Sequence, residues 1–219
     1  KINWKGIEMK IVITDDHEIV REGLKKVIAK QSDLDVIAEA ASIEELQKIL
    51  DQNQVDLVTL DISLPDKSGL DFVKDIKDRY PDTKVLMFSI YPEEKFAKRA
   101  LNIGADGYIS KNAKPSEIIN AIRKIEKGGK YLKTELLEEL FLRPDRSNAN
   151  KTHEILSNRE FEVLRLLAKG NKISQIADAL GLSVNTIASY KTRLQEKLNL
   201  KSTAELIRFA IDNDLVEKY

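Results

Sequence analysis

Val55-Asp56-Leu57-Val58-Thr59-Leu60-Asp61, continued by Ile62-Ser63-Leu64-Pro65-Asp66-Lys67-Ser68-Gly69-Leu70, is the stretch that decides the fold. It opens as a run of apolar and β-branched residues, the pattern of a strand buried on both faces. The run stops on Asp61. That places a carboxylate at the carboxyl end of a buried strand, where open α/β sheets hold their chemistry. Pro65 and Gly69 mark the loop that follows, and Ser68 stands where it can cap a helix starting near Leu70. Taken alone, Asp61 reads equally well as a turn cap. Its surroundings decide between the two.

Working outward, strand and helix patterns alternate. Residues 10–14 are a short β-rich run ending in Asp15-Asp16. Over 17–30, Ile19, Val20, Leu24, Val27 and Ile28 recur at helical spacing. Residues 35–40 read as a strand, and Ser42 caps a helix holding Leu46, Ile49 and Leu50. After the central strand, 55–60, a helix passes through Phe72, Val73 and Ile76 and stops before Pro81. Residues 84–89 are a fourth strand. Pro92 opens a helix through Phe96, Ala97, Ala100 and Leu101, closed by Gly104. Residues 106–110 are a short fifth strand. The helix over 114–127 aligns Ile118, Ile119, Ile122 and Ile125 and ends at Gly128-Gly129. Five strands alternating with five helices imply a parallel sheet covered on both sides.

Composition narrows the function classes. A chain of 219 residues is comfortable for two domains. Hydrophobic content of 42% and charged content of 33% fit an ordinary folded protein. Lysine plus arginine equals aspartate plus glutamate at 36 each, so any basic face for nucleic acid must be local. The absence of cysteine excludes a disulfide scaffold, a thiolate metal site and a cysteine nucleophile, and is compatible with a reducing cytoplasm. No apolar run approaches the ~18 residues of a membrane span. Residues 1–8 lack an apolar signal core and read as a leader or expression remnant ahead of Met9.

Past the fifth helix the pattern changes. Residues 134–142 read as one more short helix, and 143–150 are polar and aperiodic, a linker. No strand pattern returns. Ser157 caps a helix through Phe161, Val163, Leu164 and Leu167 that Gly170 closes; 172–180 is a short helix closed by Gly181. Ser183 caps a third helix, 184–198, and 203–212 is a fourth. Helix, tight glycine turn, helix is the helix-turn-helix pattern. In the third helix Ile187, Leu194 and Leu198 share one face, and Asn185, Ser189, Thr192 and Glu196 lie opposite. Between 184 and 201 four basic residues stand against the single acid Glu196.

At the strand ends, Asp15, Asp16 and Asp61 gather with Ser89 and Lys111. Three carboxylates packed together repel unless a cation neutralises them, and all-oxygen ligands suit Mg²⁺. These residues, in this register, resemble the receiver domain of bacterial response regulators over residues 9 to about 127. The resemblance implies Asp61 as phosphoacceptor, with Asp15, Asp16, Asp61 and the Ser63 backbone carbonyl binding Mg²⁺. It makes Ser89 the hydroxyl that turns to the phosphoryl group, Lys111 its partner lysine, and Tyr108 the switch aromatic, turning inward on activation. Many receivers have proline after the lysine; here Asn112 follows, and a cis peptide is not expected.

The stretch Leu156-Ser157-Asn158-Arg159-Glu160-Phe161-Glu162-Val163-Leu164, with Ile176-Ala177, Leu182-Ser183, Asn185-Thr186-Ile187 and Lys197-Leu198, resembles LuxR-type DNA-binding domains. Together the two halves resemble NarL/FixJ-type response regulators. The implied architecture is α/β plus all-α: a flavodoxin-like, doubly wound five-stranded parallel sheet, order 2-1-3-4-5, then a four-helix helix-turn-helix domain. The divisions expected are a receiver over 9–128, a linker with a short helix over 129–151 and the DNA-binding domain over 152–219. The N-terminal outer face of the third helix is expected at base edges through Asn185, Ala188, Ser189 and Thr192. Thr186, Tyr190, Lys191, Arg193, Lys197 and Lys201 are expected at phosphates. Ala188 and Tyr190 stand where this family often has lysine and histidine.

The function implied is a phosphorylation-activated, cytoplasmic transcription regulator, catalysing only its own aspartyl phosphorylation and dephosphorylation and no other turnover. Its implied partners are a sensor histidine kinase, double-stranded DNA, a second copy of the chain when phosphorylated, and RNA polymerase, with no membrane. Leu206, Ile207, Ala210 and Ile211 of the fourth helix are expected to form a two-fold contact, or else to be core. Three other readings compete. A phosphotransferase or phosphatase with an aspartyl-phosphate intermediate needs an acid two residues after the nucleophile, where Ser63 stands. A LuxR-type regulator gated by a small molecule needs an apolar pocket in the first domain. A flavodoxin-like cofactor carrier needs a phosphate-cradling glycine loop, and no such motif occurs.

Overall fold

The computed structural model describes residues 9–91, 93–133, 156–212 and Leu215. The expected leader, most of the linker and the short helix over 134–142 lie outside the described residues. The chain divides into two compact units, Lys1–Pro144 and Asp145–Tyr219.

In the first unit β1 (Met9–Thr14), β2 (Leu34–Ala40), β3 (Leu57–Leu60), β4 (Lys84–Ser89) and β5 (Gly107–Ser110) form one parallel sheet in the order β2-β1-β3-β4-β5. The helices are α1 (Glu18–Ile28), α2 (Ile43–Gln52), α3 (Gly69–Arg79), α4 (Glu93–Asn102) and α5 (Pro115–Glu126). β3 is buried at all four positions, as its apolar run requires. Ile11, Ile13, Leu57, Leu86 and Ile109 pack with Leu24 and Ile28 of α1 and Ile118, Ile122 and Ile125 of α5. The alternate residues Val12, Val58 and Val85 face the other way and are equally buried. Right-handed crossovers send α2, α3 and α4 to that opposite face. The order reverses between β1 and β3, and the crevice at that switch point opens at the strand carboxyl ends.

Two boundaries differ from the sequence reading. β3 starts at Leu57 rather than 55; just before it the Asp56 carboxylate accepts the Lys10 N–H at 2.7 Å. Ser68 occupies the N-cap of α3 but makes no capping bond with its side chain. Asp66 in the same loop does cap a helix, a different one: its two oxygens accept the N–H groups of Ile43 (3.0 Å) and Glu44 (2.9 Å) at the start of α2.

The second unit contains α6 (Asn158–Ala168), α7 (Ile173–Ala179), α8 (Val184–Leu198) and α9 (Thr203–Asp212). Ser157 and Glu160 form a reciprocal capping box at the start of α6. Phe161, Leu164, Leu167, Ile176, Ile187, Leu194, Leu206 and Ala210 are the core. Gly181, at φ +62°, makes the tight turn between α7 and α8, a conformation in which a side chain is strained. Among the described residues no helix is long and apolar enough to cross a membrane.

Gly69 is fixed by proximity. A Cβ on it would sit 1.8 Å from the Asp61 backbone oxygen, so only glycine lets α3 start against the end of β3. Gly69→Ala is expected to destabilise the first unit by about 1–3 kcal/mol and to displace the Asp61 backbone. Denaturant unfolding followed with amide chemical shifts around residue 61 checks both outcomes.

Candidate functional site

Asp15 follows β1, Asp61 follows β3, Ser89 ends β4 and Lys111 follows β5. The topology therefore delivers all four to one end of the sheet. Asp15, Asp61 and Ser89 are almost completely buried, at 1%, 2% and 0% exposure. Lys111 Nζ lies 2.5 Å from Asp15 Oδ2 and donates to Asp61 Oδ2 at 2.8 Å. The remaining oxygens are held by the backbone: Asp15 Oδ1 accepts from the His17 N–H at 3.0 Å, and Asp61 Oδ1 from the Ile62 N–H at 2.7 Å. Arg21 donates to the Asp15 carbonyl at 2.7 Å, which ties α1 to the same corner.

The electrostatics follow from two buried carboxylates sharing one ammonium. Burial pushes the Asp61 carboxyl above the usual carboxylate range; the charge and hydrogen bond of Lys111 offset this in part, and Asp15 pushes it further up. Burial opposes the charge on Lys111, but Asp61 and Asp15 outweigh it and hold its proton more tightly than usual. Both directions hold together because the carboxylates outnumber the ammonium.

The expected metal set is only partly gathered. Asp15 and Asp61 meet through Lys111, whereas the Asp16 side chain is 36% exposed and lies beside His17, whose Nδ1 is 2.7 Å from Asp16 Oδ1 and 3.3 Å from Asp15 Oδ1. Asp15, Asp16 and His17 are a group able to hold a metal ion among the described residues. The donors fit a hard divalent cation, being mainly carboxylate oxygens carrying more negative charge than Lys111 neutralises. His17 was read from sequence only as the start of a helix. The signal available was its place directly after two acids at a strand end.

Ser63, whose backbone carbonyl is the expected metal ligand, also makes a side-chain contact. Its hydroxyl is 2.9 Å from the Tyr91 hydroxyl, and Tyr91 is buried and stacked obliquely on Phe96 at 4.9 Å. Tyr108, expected as the switch aromatic, is fully buried here and its hydroxyl donates to the Tyr91 carbonyl at 3.1 Å. Burial pushes its phenol well above the ordinary range. No cis peptide occurs among the described residues, in line with Asn112 after Lys111.

In the second unit α8 buries Ile187 and Leu194 and turns Asn185, Ser189, Thr192 and Arg193 outward. Thr186, Ala188, Tyr190 and Lys191 are half-buried along its borders, and Lys201 is exposed just beyond its end. Asn185, Thr186, Ser189, Tyr190 and Arg193 line a shallow groove. Ser189 and Thr192 spend their hydroxyl hydrogens on the carbonyls of Asn185 (3.0 Å) and Ala188 (3.1 Å), so outward they offer acceptors. Val184, read from sequence only as the first helical residue, adds a 51% exposed apolar side chain at the same end. Lys197, expected at a phosphate, donates here to Glu160 Oε2 at 2.7 Å, tying α8 to the cap of α6. On α9, Leu206 and Ala210 are core, which leaves Ile211, 40% exposed, and half-buried Ile207 on its outer side.

A strand-end cleft of acids and a lysine, joined in one chain to a helix-turn-helix unit, defines a two-part regulatory protein. Residues 11–123 match the response regulator receiver domain, and residues 154–210 match the luxR family of bacterial regulatory proteins. Oxygen regulatory protein NreC of Staphylococcus carnosus (strain TM300) is 39% identical over 217 residues, which cover 95% of this chain and 100% of that protein. RcsB from Salmonella enterica serovar Typhimurium, solved bound to promoter rprA with the phosphomimetic BeF3⁻, superposes with a TM-score of 0.63 at 26% identity, covering 92% of this chain and 98% of that one. A LuxR-family two-component response regulator from Aurantimonas sp. SI85-9A1 gives 0.59 at 29% identity over 63% of this chain and 98% of that one. This chain belongs to the response regulators in which a receiver domain is followed by a LuxR-type DNA-binding domain.

The Glu160 cluster carries a pH dependence. Burial opposes its charge, but hydrogen bonds from Lys197 and from Ser157 outweigh that and hold the carboxyl below the usual range. A depressed carboxylate stabilises the fold above its unfolded value of about 4.3, and that contribution is lost as pH falls through the folded value. Glu160→Gln, which keeps an acceptor for Ser157 and removes the attraction to Lys197, is expected to cost about 1 kcal/mol at neutral pH. The difference from wild type is expected to vanish on acidification. Amide exchange in α6 and α8, measured against pH, is the check.

Proposed function

We propose that Asp61 accepts a phosphoryl group from a sensor histidine kinase and that this modification controls pairing of the chain on double-stranded DNA. One observation carries the reading: Lys111 stands between two buried carboxylates, one of which, Asp61, ends the central strand. A carboxylate oxygen of Asp61 attacks phosphorus, the P–N bond of the kinase phosphohistidine breaks, and the imidazole leaves with the electron pair and takes a proton from solvent. Transfer of this kind passes through a loose transition state, so positioning and charge stabilisation are the catalysis. The Lys111 ammonium neutralises the transferring oxygens, and the Ser89 hydroxyl donates to one of them. Mg²⁺ held by Asp15, Asp16, Asp61 and the Ser63 carbonyl would neutralise further negative charge during transfer. Water later attacks the phosphorus and releases phosphate and the free carboxylate. The chain thus catalyses its own modification and its reversal and turns over no other substrate.

With Tyr108 already inside, the conformational response falls on Ser89 and the turn to Tyr91. The DNA-bound state is supported by RcsB bound to promoter rprA in the presence of a phosphomimetic. The outward face of α8 would read bases through Asn185, Ala188, Ser189 and Thr192, with Val184 placed for a thymine methyl. Lys191, Arg193 and Lys201, with Thr186 and Tyr190, would hold phosphates. The outer side of α9 is our candidate for the two-fold contact. A DNA-bound regulator of this kind works in the cytoplasm and acts on RNA polymerase.

Incubation with Mg²⁺ and acetyl phosphate is expected to add one phosphoryl group by intact mass, acetate being the leaving group. Asp61→Asn is expected to abolish the gain with the fold retained; a variant that still gains the mass overturns the assignment.

Affinity for a random-sequence duplex is expected to fall steeply with salt. Lys191→Ala should weaken binding to all sequences alike, while Thr192→Ala should change the sequences selected from a random pool. Fluorescence anisotropy across a salt series, alongside selection and sequencing, reads out both.

A further inference from the structure

The chain leaves α5 at Gly128-Gly129 and does not depart into a linker at once. Tyr131 pairs with Gly107 as a parallel bridge on the outer edge of β5. Its N–H donates to the Asp106 carbonyl at 2.9 Å, and its carbonyl accepts the Tyr108 N–H at 3.1 Å. Gly107 permits this approach, since a Cβ there would meet Tyr131 Cβ at 3.1 Å and Ile125 Cδ1 at 3.0 Å. Leu132 is buried, and Lys133 reaches Glu93 Oε1 at 3.3 Å.

Glu93 is itself unusual. It is 5% exposed at the first position of α4, and the same Oε1 also accepts the Ser110 N–H at 3.0 Å. Its Oε2 is buried with no hydrogen-bond partner among the described residues. A carboxylate in such surroundings is costly to leave uncompensated, so its ion pair with Lys133 matters more than a surface pair. Residues 129–133 are therefore fastened twice to the turn that follows Ser89. One fastening runs through Tyr108, whose hydroxyl holds the Tyr91 carbonyl while its backbone N–H holds Tyr131. The other runs through Glu93, two residues past Tyr91.

We propose that residues 129–133 are a strap, clasped by Glu93 and Lys133, that passes the state of the Ser89–Tyr91–Tyr108 cluster to the chain leading into the DNA-binding unit. This rests on the reading of Asp61 as phosphoacceptor. Displacement of the Ser89–Tyr91 turn moves Glu93 with it, and Glu93 releases or holds Lys133. The strap then biases where the following chain departs from the sheet edge. A ligand or modification shifts such an element only by its differential interaction with the two arrangements, and the Glu93–Lys133 pair supplies that difference.

The test uses the full chain with Mg²⁺ and acetyl phosphate, and the duplex that the phosphorylated wild-type protein selects from a random-sequence pool. Three quantities are read: the intact-mass gain, the ratio of DNA affinities with and without phosphorylation, and hydrogen exchange over residues 129–133. In wild type, phosphorylation is expected to alter exchange in the strap and to raise DNA affinity by a factor on the order of ten. Lys133→Met keeps the aliphatic stem and removes the charge. It is expected to gain the same mass while its affinity ratio falls close to one, and Lys133→Arg to restore the ratio. A Lys133→Met chain that keeps the wild-type ratio overturns the strap and leaves the reading of Asp61 standing. So does a Lys133→Arg chain no better than Lys133→Met, since the residue is then only structural. A wild-type chain that gains no mass, or gains it without change in DNA affinity, overturns the reading of the cleft and the strap together.

Discussion

Two buried carboxylates on one ammonium is the interaction on which the first unit turns. Asp15 and Asp61 are nearly inaccessible to water and come from strands that lie side by side in the sheet. Their mutual repulsion in a weakly screening interior would drive one to protonate or drive the strand ends apart. Lys111 offsets this in part, and it does so from the end of β5, at the edge of the sheet. The arrangement is negative overall even with Lys111 in place. Such a site suits a divalent cation, and under the proposed reading a phosphoryl group on Asp61 would add further charge to it. Responsiveness thus follows from incomplete neutralisation, which a purely structural ion pair would have completed.

That constraint explains why the site was legible in the chain. Asp61, Ser89 and Lys111 each follow or end a run whose pattern says buried parallel strand, and parallel strands carry chemistry at one end only. Three unremarkable residues become one cleft once the alternation of strand and helix is read. What stayed illegible depends on single long-range pairings without a period. The strap at Tyr131 is one isolated bridge, and Gly128-Gly129 just before it reads as an ending. Glu93 is a charged residue at a helix start, a place where acids are ordinarily solvated. Lys197 sits on a basic helix, and only the fold reveals that Glu160, 37 residues earlier, is the partner waiting for it. The inward position of Tyr108 is likewise a choice between rotamers that sequence does not encode.

Lys197 also revises how the second unit works. Glu160 already satisfies the Ser157 N–H at the start of α6, and the same oxygen takes Lys197 from the last turn of α8. One carboxylate therefore fixes the angle between the helix that opens the unit and the helix that faces outward. On and just beyond α8, Lys191, Arg193 and Lys201 are the basic residues proposed for phosphates, with the Arg193 guanidinium 5.9 Å from the Tyr190 ring. In the proposed mechanism, association of two copies adds affinity by raising the effective concentration of the second half-site contact.

Each unit has its own core. In the proposed mechanism the state of the receiver passes to the DNA-binding unit through the chain that joins them. A weakly bound DNA domain suits this, because a modest bias in its freedom or pairing is a large fraction of its binding free energy. In the proposed mechanism the cleft supplies a bias of that size by moving one hydroxyl and one ammonium and so changing a few hydrogen bonds. What the sheet adds is direction. Ser89 and Tyr108 lie on the neighbouring strands β4 and β5, and β5 is the edge along which the chain departs. In the proposed mechanism a disturbance at Asp61 would reach the outgoing chain through β4 and β5, on the side of the sheet away from β2.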